Sequence, residues 1–472
     1  MKKFFKIATL VLMLTMLLGL AAGASDFDAI ASELKEVGLF QGTDTGFELD
    51  REPKRVEAAV MLVRLLGAEE KAKAAFEAGE VAHPFEDVPV WADAHVAWLK
   101  ANNLTNGISE KEFGSEGLCN AQMYSTFVLR ALGYSDAEDG QFTYDKALDF
   151  AQSVGLIDKE LQGEKFLRDD VVALSYQGLA TKLNGSDKTL LEKLVDDGAV
   201  KEDAAKPLLD KAALYKEFSV AMLAADSKAV DMDLVGTINM VLDDADSEPI
   251  EITASIQAVA DGTKVEFAAD ATAMGEAMKM WLKDDVFYME SNDQKVKMAM
   301  EGYTELLNSL AEDKAKEQVA EAGLYLVDKI EKTEDEDKNT VYTVTMNSAV
   351  KKAANLAMAE MEELDVEGLN TDFAFDVDGM TMSVKIDKDG ALKNVGVKYA
   401  FTIKVAVLDQ TLSVKFDADL DCTIKALGES VVIEFPDFSD FVDLEELVEE
   451  LPVEEEAAPE TAVEEAAPEV AA

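Results

Sequence analysis

The stretch TLSVKFDADLDCTIK at residues 411–425 alternates without a break. Leu412, Val414, Phe416, Ala418, Leu420, Cys422 and Ile424 take every second position, and every residue between them is polar or charged. A period of two belongs to the β-strand, whose successive side chains point to opposite faces. One face is apolar and the other wet, as in an antiparallel sheet covered on one side only. Cys422 falls on the apolar face, which predicts a buried, inert thiol.

The same period extends outward. Val230, Met232, Leu234, Ile238, Met240 and Leu242 alternate, as do Ile250 to Ile256 and Val265 to Ala271. Further alternating runs occupy 278–290, 295–300, 342–346, 373–379, 380–386 and 392–408. DDADSEP at 243–249 and ADGT at 260–263 read as turns. Helical patterns interrupt at about 302–322 and 347–362. Strands, helices, then strands, each strand with one apolar face, predict an α+β domain over 226–436. Its curved antiparallel sheet is covered on one side by helices. In order and texture, 215–436 resembles the half-barrel lipoprotein-carrier superfamily of the LolA and LppX type. That resemblance implies an apolar cavity between sheet and helical lid. Fourteen of the 19 methionines lie from Met222 onward. A flexible, polarisable side chain suits either an adaptable cavity or a Met-rich packed core.

Upstream the period changes. Three blocks of 40 to 50 residues recur, at about 26–68, 83–134 and 141–184. Each opens with a short helix pattern. In the second block this is WADAHVAWLK, with Trp91, Ala94, Trp98 and Leu99 on one face. Each first helix ends at a turn, GLFQG at 38–42, NLTNG at 103–107 and GLID at 155–158. Gly42 and Gly107 suit a left-handed cap or a tight turn. A second helix follows, over 57–67, 121–133 and 170–183. A block this small cannot bury its apolar stripe alone, so three must share a core. A charged helical stretch, 185–225, reads as a spacer.

FEDVPVWA at 85–92, GLFQGTDTGFELDREPKRVEAAVMLVRLLG at 38–67 and FVLRALGY at 127–134 resemble the S-layer homology family. The resemblance spans residues 26 to 184. It implies an all-α pseudo-threefold prism with a central three-helix bundle. It also implies non-covalent attachment to an anionic secondary cell-wall polymer, a peptidoglycan-linked glycan. By the family pattern, KRVE supplies Arg55 as the ligand-binding arginine, followed by Glu57. Asp87 and Trp91 match the opening motif, Gly42 the glycine turn, and LRDD supplies Arg168. The equivalent site in the second block, CNAQ at 119–122, carries no cation. A planar guanidinium pairs bidentately with a carboxylate, which a lysine cannot do. The other reading makes Arg55 an internal salt bridge, to Glu57 or Asp50.

Lys2, Lys3 and Lys6, the apolar run Ile7 to Leu20 and Ala22-Gly23-Ala24 form a signal peptide over 1–24, cut before Ser25. No later stretch is long and apolar enough to span a membrane. The chain of 472 residues has 44 Lys+Arg against 95 Asp+Glu and a formal charge of −51. Three lysines leave with the signal, which makes it −54. So negative a surface repels phosphate backbones, which excludes a nucleic-acid partner. Two cysteines and two histidines exclude a disulfide scaffold and a His-rich metal site. The histidines read as satisfied polar residues. DVDG at 376–379 and DKDG at 387–390 lack the spacing of a calcium loop and read as hairpin turns. No catalytic motif stands out, and nothing calls for an enzyme, a cofactor or a bound metal. From Asp437 to Ala472 there are 14 acidic residues and no basic one, the composition of a disordered tail. The expectation is an exported protein of a Gram-positive-type cell wall or S-layer. Its repeats anchor it, and its sheet domain has a structural or binding role. The alternative is a wall-anchored carrier that shelters a lipid or other apolar ligand in the sheet.

Overall fold

The computed structural model describes residues 27–43, 45–157, 165–224, 228–242, 245–246, 249–260, 264–292, 294–300, 304, 323–347, 373–407 and 410–444. The signal peptide, both helical interruptions of the sheet and the chain beyond 444 lie outside them.

The helical half holds α1 (Asp28–Glu36), α2 (Arg55–Leu65), α3 (Glu69–Glu77), α4 (Asp93–Ala101), α5 (Ala121–Ala131), α6 (Ala147–Ser153) and α7 (Arg168–Ala180). The second helix of each block, α2, α5 and α7, touches the other two. That position explains their composition. In α2 everything from Val56 to Val63 except Glu57 is buried, and in α7 everything from Arg168 to Leu179 is. A helix buried on every side belongs at the centre. The blocks interlock through backbone bonds. Arg55 N donates to Gly117 O at 2.8 Å, and Arg168 N to Arg51 O at 2.9 Å.

Several local expectations change. Trp91 stands 57% exposed in a 3-10 turn, Val90–Ala92, so it does not share the buried face of α4. That face is Ala92, His95, Val96 and Leu99. Gly38, at φ +81°, follows α1 as the left-handed residue. Gly42 is needed for space: a Cβ there would sit 2.6 Å from the Gly46 carbonyl oxygen. The stretch 185–225 does not stand apart as a spacer. Leu190, Leu191 and Leu194 of α8 (Leu190–Asp196) and Leu208 of α9 (Glu202–Ala224) join the helical core.

The other half is a curved antiparallel sheet. Its strands are β1 (Ala229–Leu242), β2 (Ala245–Asp246), β3 (Ile250–Ala260), β4 (Val265–Ala273), β5 (Glu276–Lys283), β6 (Val286–Ser291), β7 (Gln294–Ala299), β8 (Val327–Glu334), β9 (Thr340–Met346), β10 (Phe373–Ile386), β11 (Leu392–Val407), β12 (Gln410–Leu427) and β13 (Val442–Asp443). The order is β13-β7-β6-β5-β4-β3-β1-β12-β11-β10-β9-β8, with β2 paired to β1. The long stretch that opens the argument is β12, in register with β1 through Leu234↔Cys422 and Ile238↔Ala418. DVDG does not turn. It lies inside β10, which shifts register between Val377 and Gly379. DKDG does form the β10–β11 turn, with Gly390 N donating to Asp387 O at 3.0 Å.

The two halves are joined by more than a linker. Leu324, Tyr325 and Leu326, just before β8, are buried in the helical core. Tyr325 lies 5.9 Å from the Phe27 ring. In return Phe218 of α9 packs on Val344 and Val384, over the β8–β10 end of the sheet.

The first part of the acidic segment, 437–444, does not match the disorder its composition suggests. After β12 the chain runs back across the sheet to pair β13 in parallel with β7. Phe438 stacks on Tyr288 at 3.7 Å, and Trp281 meets Phe438 and Phe441 edge-on. Residues 437–444 are thus an ordered strap.

Candidate functional site

Two regions gather the predicted chemistry. The first surrounds Arg55, the opening residue of α2. Read as a ligand-binding arginine or as a salt bridge, Arg55 is only 7% exposed. Nε donates to the Phe113 carbonyl oxygen at 2.9 Å. The guanidinium carbon lies 5.0 Å from the centre of the Phe113 ring and 5.1 Å from that of Phe127. Neither salt bridge read for Arg55 forms among the described residues. Burial pushes the guanidinium below its ordinary value; Cys119, Tyr144 and Asp87 offset this in part, and Arg130 adds to it. The site therefore holds a desolvated cation with no carboxylate in ion-pair contact among the described residues. Ile108, Leu118 and Tyr144 near it remain exposed.

Asp87 builds this place without touching the guanidinium. Its carboxylate accepts the N–H groups of Phe113, Gly114 and Ser115 at 2.6, 2.7 and 2.9 Å. Burial opposes ionisation, but the three N–H groups hold the carboxyl below its usual range. The loop so fixed presents the Phe113 carbonyl to Arg55.

Glu57 belongs to Arg51, which sequence reasoning passed over. Arg51 donates to both its oxygens, at 2.9 and 2.8 Å, and the Lys54 N–H donates at 2.8 Å. Glu57 is thus the reach-back carboxylate of the helix start, as Asp170 is for Leu167 at 2.7 Å.

Arg168 repeats the Arg55 geometry. Its Nε donates to the Phe47 carbonyl oxygen at 3.1 Å, and Nη1 approaches Met61 Sδ at 3.7 Å. It is 4% exposed, and burial lowers its pKa. Gly42 lies in the same loop as Phe47, while Trp91 stands in its own turn. The acceptors come from other blocks: Phe113 lies in the loop before α5 and Phe47 in the loop before α2, so each arginine is met by a neighbouring repeat, a pairing no local spacing shows.

The second region is the apolar face of the sheet. Leu234, Ile238, Ile252, Phe416, Leu420 and Cys422 are buried on it, with Met278 and Met280 of β5 and Met289 of β6. The small side chains Ala269 and Ala271 of β4 lie opposite Met280 and Met278. Phe401 stacks on Phe416 at 4.7 Å. Asp417, Asp419 and Asp421 are exposed on the other face, as the alternation requires. Burial pushes the Cys422 thiol up to about 11, and Asp421 adds to this, so the thiol stays protonated. Among the described residues no three His, Cys, Asp or Glu side chains are grouped to hold a metal ion, and no helix is long and apolar enough to cross a membrane.

Residues 210–438 match a protein family of unknown function, DUF6612. No curated protein sequence matches the chain. Among solved structures, LprF from Mycobacterium bovis is 12% identical, with a TM-score of 0.26, covering 48% of this chain and 97% of its own. A LolA superfamily protein from Nitrosomonas europaea is 8% identical, with a TM-score of 0.16, covering 46% and 96%. The likeness falls on the C-terminal half. At such TM-scores it decides nothing about the site.

Proposed function

We propose that the protein is an exported carrier that shelters a lipid or other apolar ligand on the inner face of its sheet. The observation that carries this is the composition of that face. Methionines Met278, Met280 and Met289 sit over the alanines of β4, beside an aromatic pair. Long unbranched side chains over small ones can repack around guests of different shape. The test is native mass spectrometry of the purified mature protein, after lipid extraction and again after incubation with a neutral apolar dye. Bound apolar mass that organic solvent removes supports the reading. A protein that never carries any overturns it.

The helical half supports a second role, anchoring to an anionic wall polymer. Its specific observation is Arg55, a buried guanidinium with spare donors and no carboxylate partner among the described residues. A ligand carboxylate or phosphate would supply the missing charge. Sedimentation of the full mature chain with purified walls, with and without their secondary polymer, tests this. Equal sedimentation with polymer-stripped walls would refute it.

A further inference from the structure

The strap leaves the sheet on the opposite face from the one on which it arrives. Phe441 packs edge-on against Trp281 and Tyr288 on the outer face. β13 then pairs with β7 in parallel, Val442 beside Val296 and Asp443 beside Lys297. Residues opposite each other across a ladder share a face. Val442 and Leu444 therefore turn inward with the buried Val296. Leu444 packs against the inner core, the cluster that holds Met278, Met280 and Met289. The chain has thus rounded the β7 edge, and at Leu444 its backbone turns helical.

From that point the sequence carries a pattern that its acidic composition hides. LEELVEELP at 444–452 puts Leu444, Leu447, Val448 and Leu451 at offsets of 0, 3, 4 and 7, with glutamate at every other position before Pro452. Those offsets make one stripe on a helix. Asp443 and Glu446 have the spacing of a helix start, and Pro452 supplies the stop. About two turns of helix are marginal in water. Glu445 with Glu449, and Glu446 with Glu450, repel at the i,i+4 spacing and weaken a free helix further. Such a segment gains stability by burying its stripe, and the first residue of this one is already seated on an apolar face. We propose that residues 445–451 dock on the end of the inner face that holds Met289 and Val296, stripe inward and glutamates toward water. The segment is tethered beside its site, so it acts there at a high effective concentration. The consequence for binding rests on the carrier reading: the docked segment must leave before an apolar ligand enters this end of the sheet.

The test uses the full mature chain and a variant that combines Leu447→Gln with Leu451→Gln, which leaves every residue of the sheet and every charge unchanged. A glutamate-specific protease should cut the wild type after Glu454, Glu455 or Glu456 well before it cuts after Glu445 to Glu450. It should cut the variant at both places alike. Neutral N-phenyl-1-naphthylamine should bind the variant about three- to tenfold more tightly, the gain expected if the open face is ~10–30% populated in the wild type. Equal cleavage of the two stretches in the wild type overturns the docking. Equal, measurable dye affinity in the two proteins also overturns it, because the segment then lies off the apolar face. If neither protein binds the dye while the protease pattern holds, the docking stands and the carrier reading fails.

Discussion

The backbone N–H of Leu324 donates to Oε1 of Gln177 at 3.2 Å, across the boundary between sheet and helices. Gln177 in turn donates from Nε2 to the Gly155 carbonyl oxygen at 3.0 Å. One α7 side chain therefore ties a turn of the helical repeats to the segment that starts β8. Nearby, Glu33 of α1 accepts from Tyr176 at 2.5 Å and from Lys211 at 2.8 Å. Lys211 Nζ also donates to the Val327 carbonyl oxygen at 3.2 Å.

This contact predicts that the helical half is incomplete alone. Tyr325 belongs to the sheet half by sequence but is 2% exposed inside the helical core. Tyr325→Ala should destabilise the helical half by about 3–5 kcal/mol, the range for an aromatic ring lost from a core. Urea unfolding followed by Trp91 and Trp98 emission measures it. A loss below about 1 kcal/mol would mean that the two halves are merely adjacent.

Arg55→Ala should weaken wall binding by about 1.5–3 kcal/mol, the range for hydrogen bonds to a charged group. Because Arg55 is packed between Phe113 and Phe127, the same change should also lower stability. Arg55→Lys separates the two effects. It keeps charge and much of the packing but lacks the planar fork. Wall affinity should stay low in Arg55→Lys while stability largely returns. Full affinity in that variant would point to plain charge attraction.

His95 supplies a pH dependence. It is 4% exposed, its Nε2 lies 3.3 Å from Glu69 Oε1, and its Nδ1 has no partner among the described residues. Burial lowers its pKa; Glu69 opposes the shift, and Arg64 and Lys73 reinforce it. The unfolded chain therefore takes up this proton at higher pH than the folded one. Stability linked to neutral His95 is present above about pH 6.5 and declines as pH falls below it. Between pH 7.5 and 5.5 the wild type should lose urea resistance, and His95→Asn should lose less. Equal losses would remove His95 as the cause.

What was legible in the sequence tracks how strictly a period is kept. The β12 alternation is unbroken for fifteen residues, so its faces, and the exposure of Asp417, Asp419 and Asp421, follow directly. Trp91 was misassigned because a 3-10 turn precedes α4 and breaks the 3.6-residue phase. DVDG has turn residues, but a register shift at Gly379 absorbs them within a strand. GLYLV at 323–327 is too short to show any period, and its burial depends on a distant helix. The strap was hidden by composition. Its phenylalanines are separated by acidic residues, and only the Trp281–Tyr288 surface shows what they cover.

The strap itself makes a prediction. From β12 to β7 it crosses six strand spacings, roughly 29 Å at about 4.8 Å each. Lys295 pairs with Asp440 at 2.7 Å near its end. Trp281 and Tyr288 lie opposite each other on the face away from Met280 and Met289. Phe438→Ala should therefore expose Trp281 and shift its emission to the red, in a background where Trp91 and Trp98 are phenylalanine. An unshifted spectrum would mean that the strap is not seated on Trp281 in solution.

The two ends of the apolar face should respond differently to truncation. Phe416 and Phe401 stack at 4.7 Å, and their neighbours Ala418 and Leu420 are nearly inaccessible. Phe416→Ala should therefore cost about 3–5 kcal/mol, as in any packed core. Met280 is also buried, but it faces the small Ala269 across β4 and β5. If the methionine end is where a guest is accommodated, its packing adapts when one side chain shrinks. Met280→Ala should then cost less than the ~2–5 kcal/mol usual for a buried methionine, and it should lower affinity for a neutral apolar dye. Denaturant unfolding and dye titration on the same two variants decide the matter. A full core penalty at Met280 with unchanged dye affinity would mean that this end is as tightly packed as the phenylalanine end, and that the guest, if any, lies elsewhere.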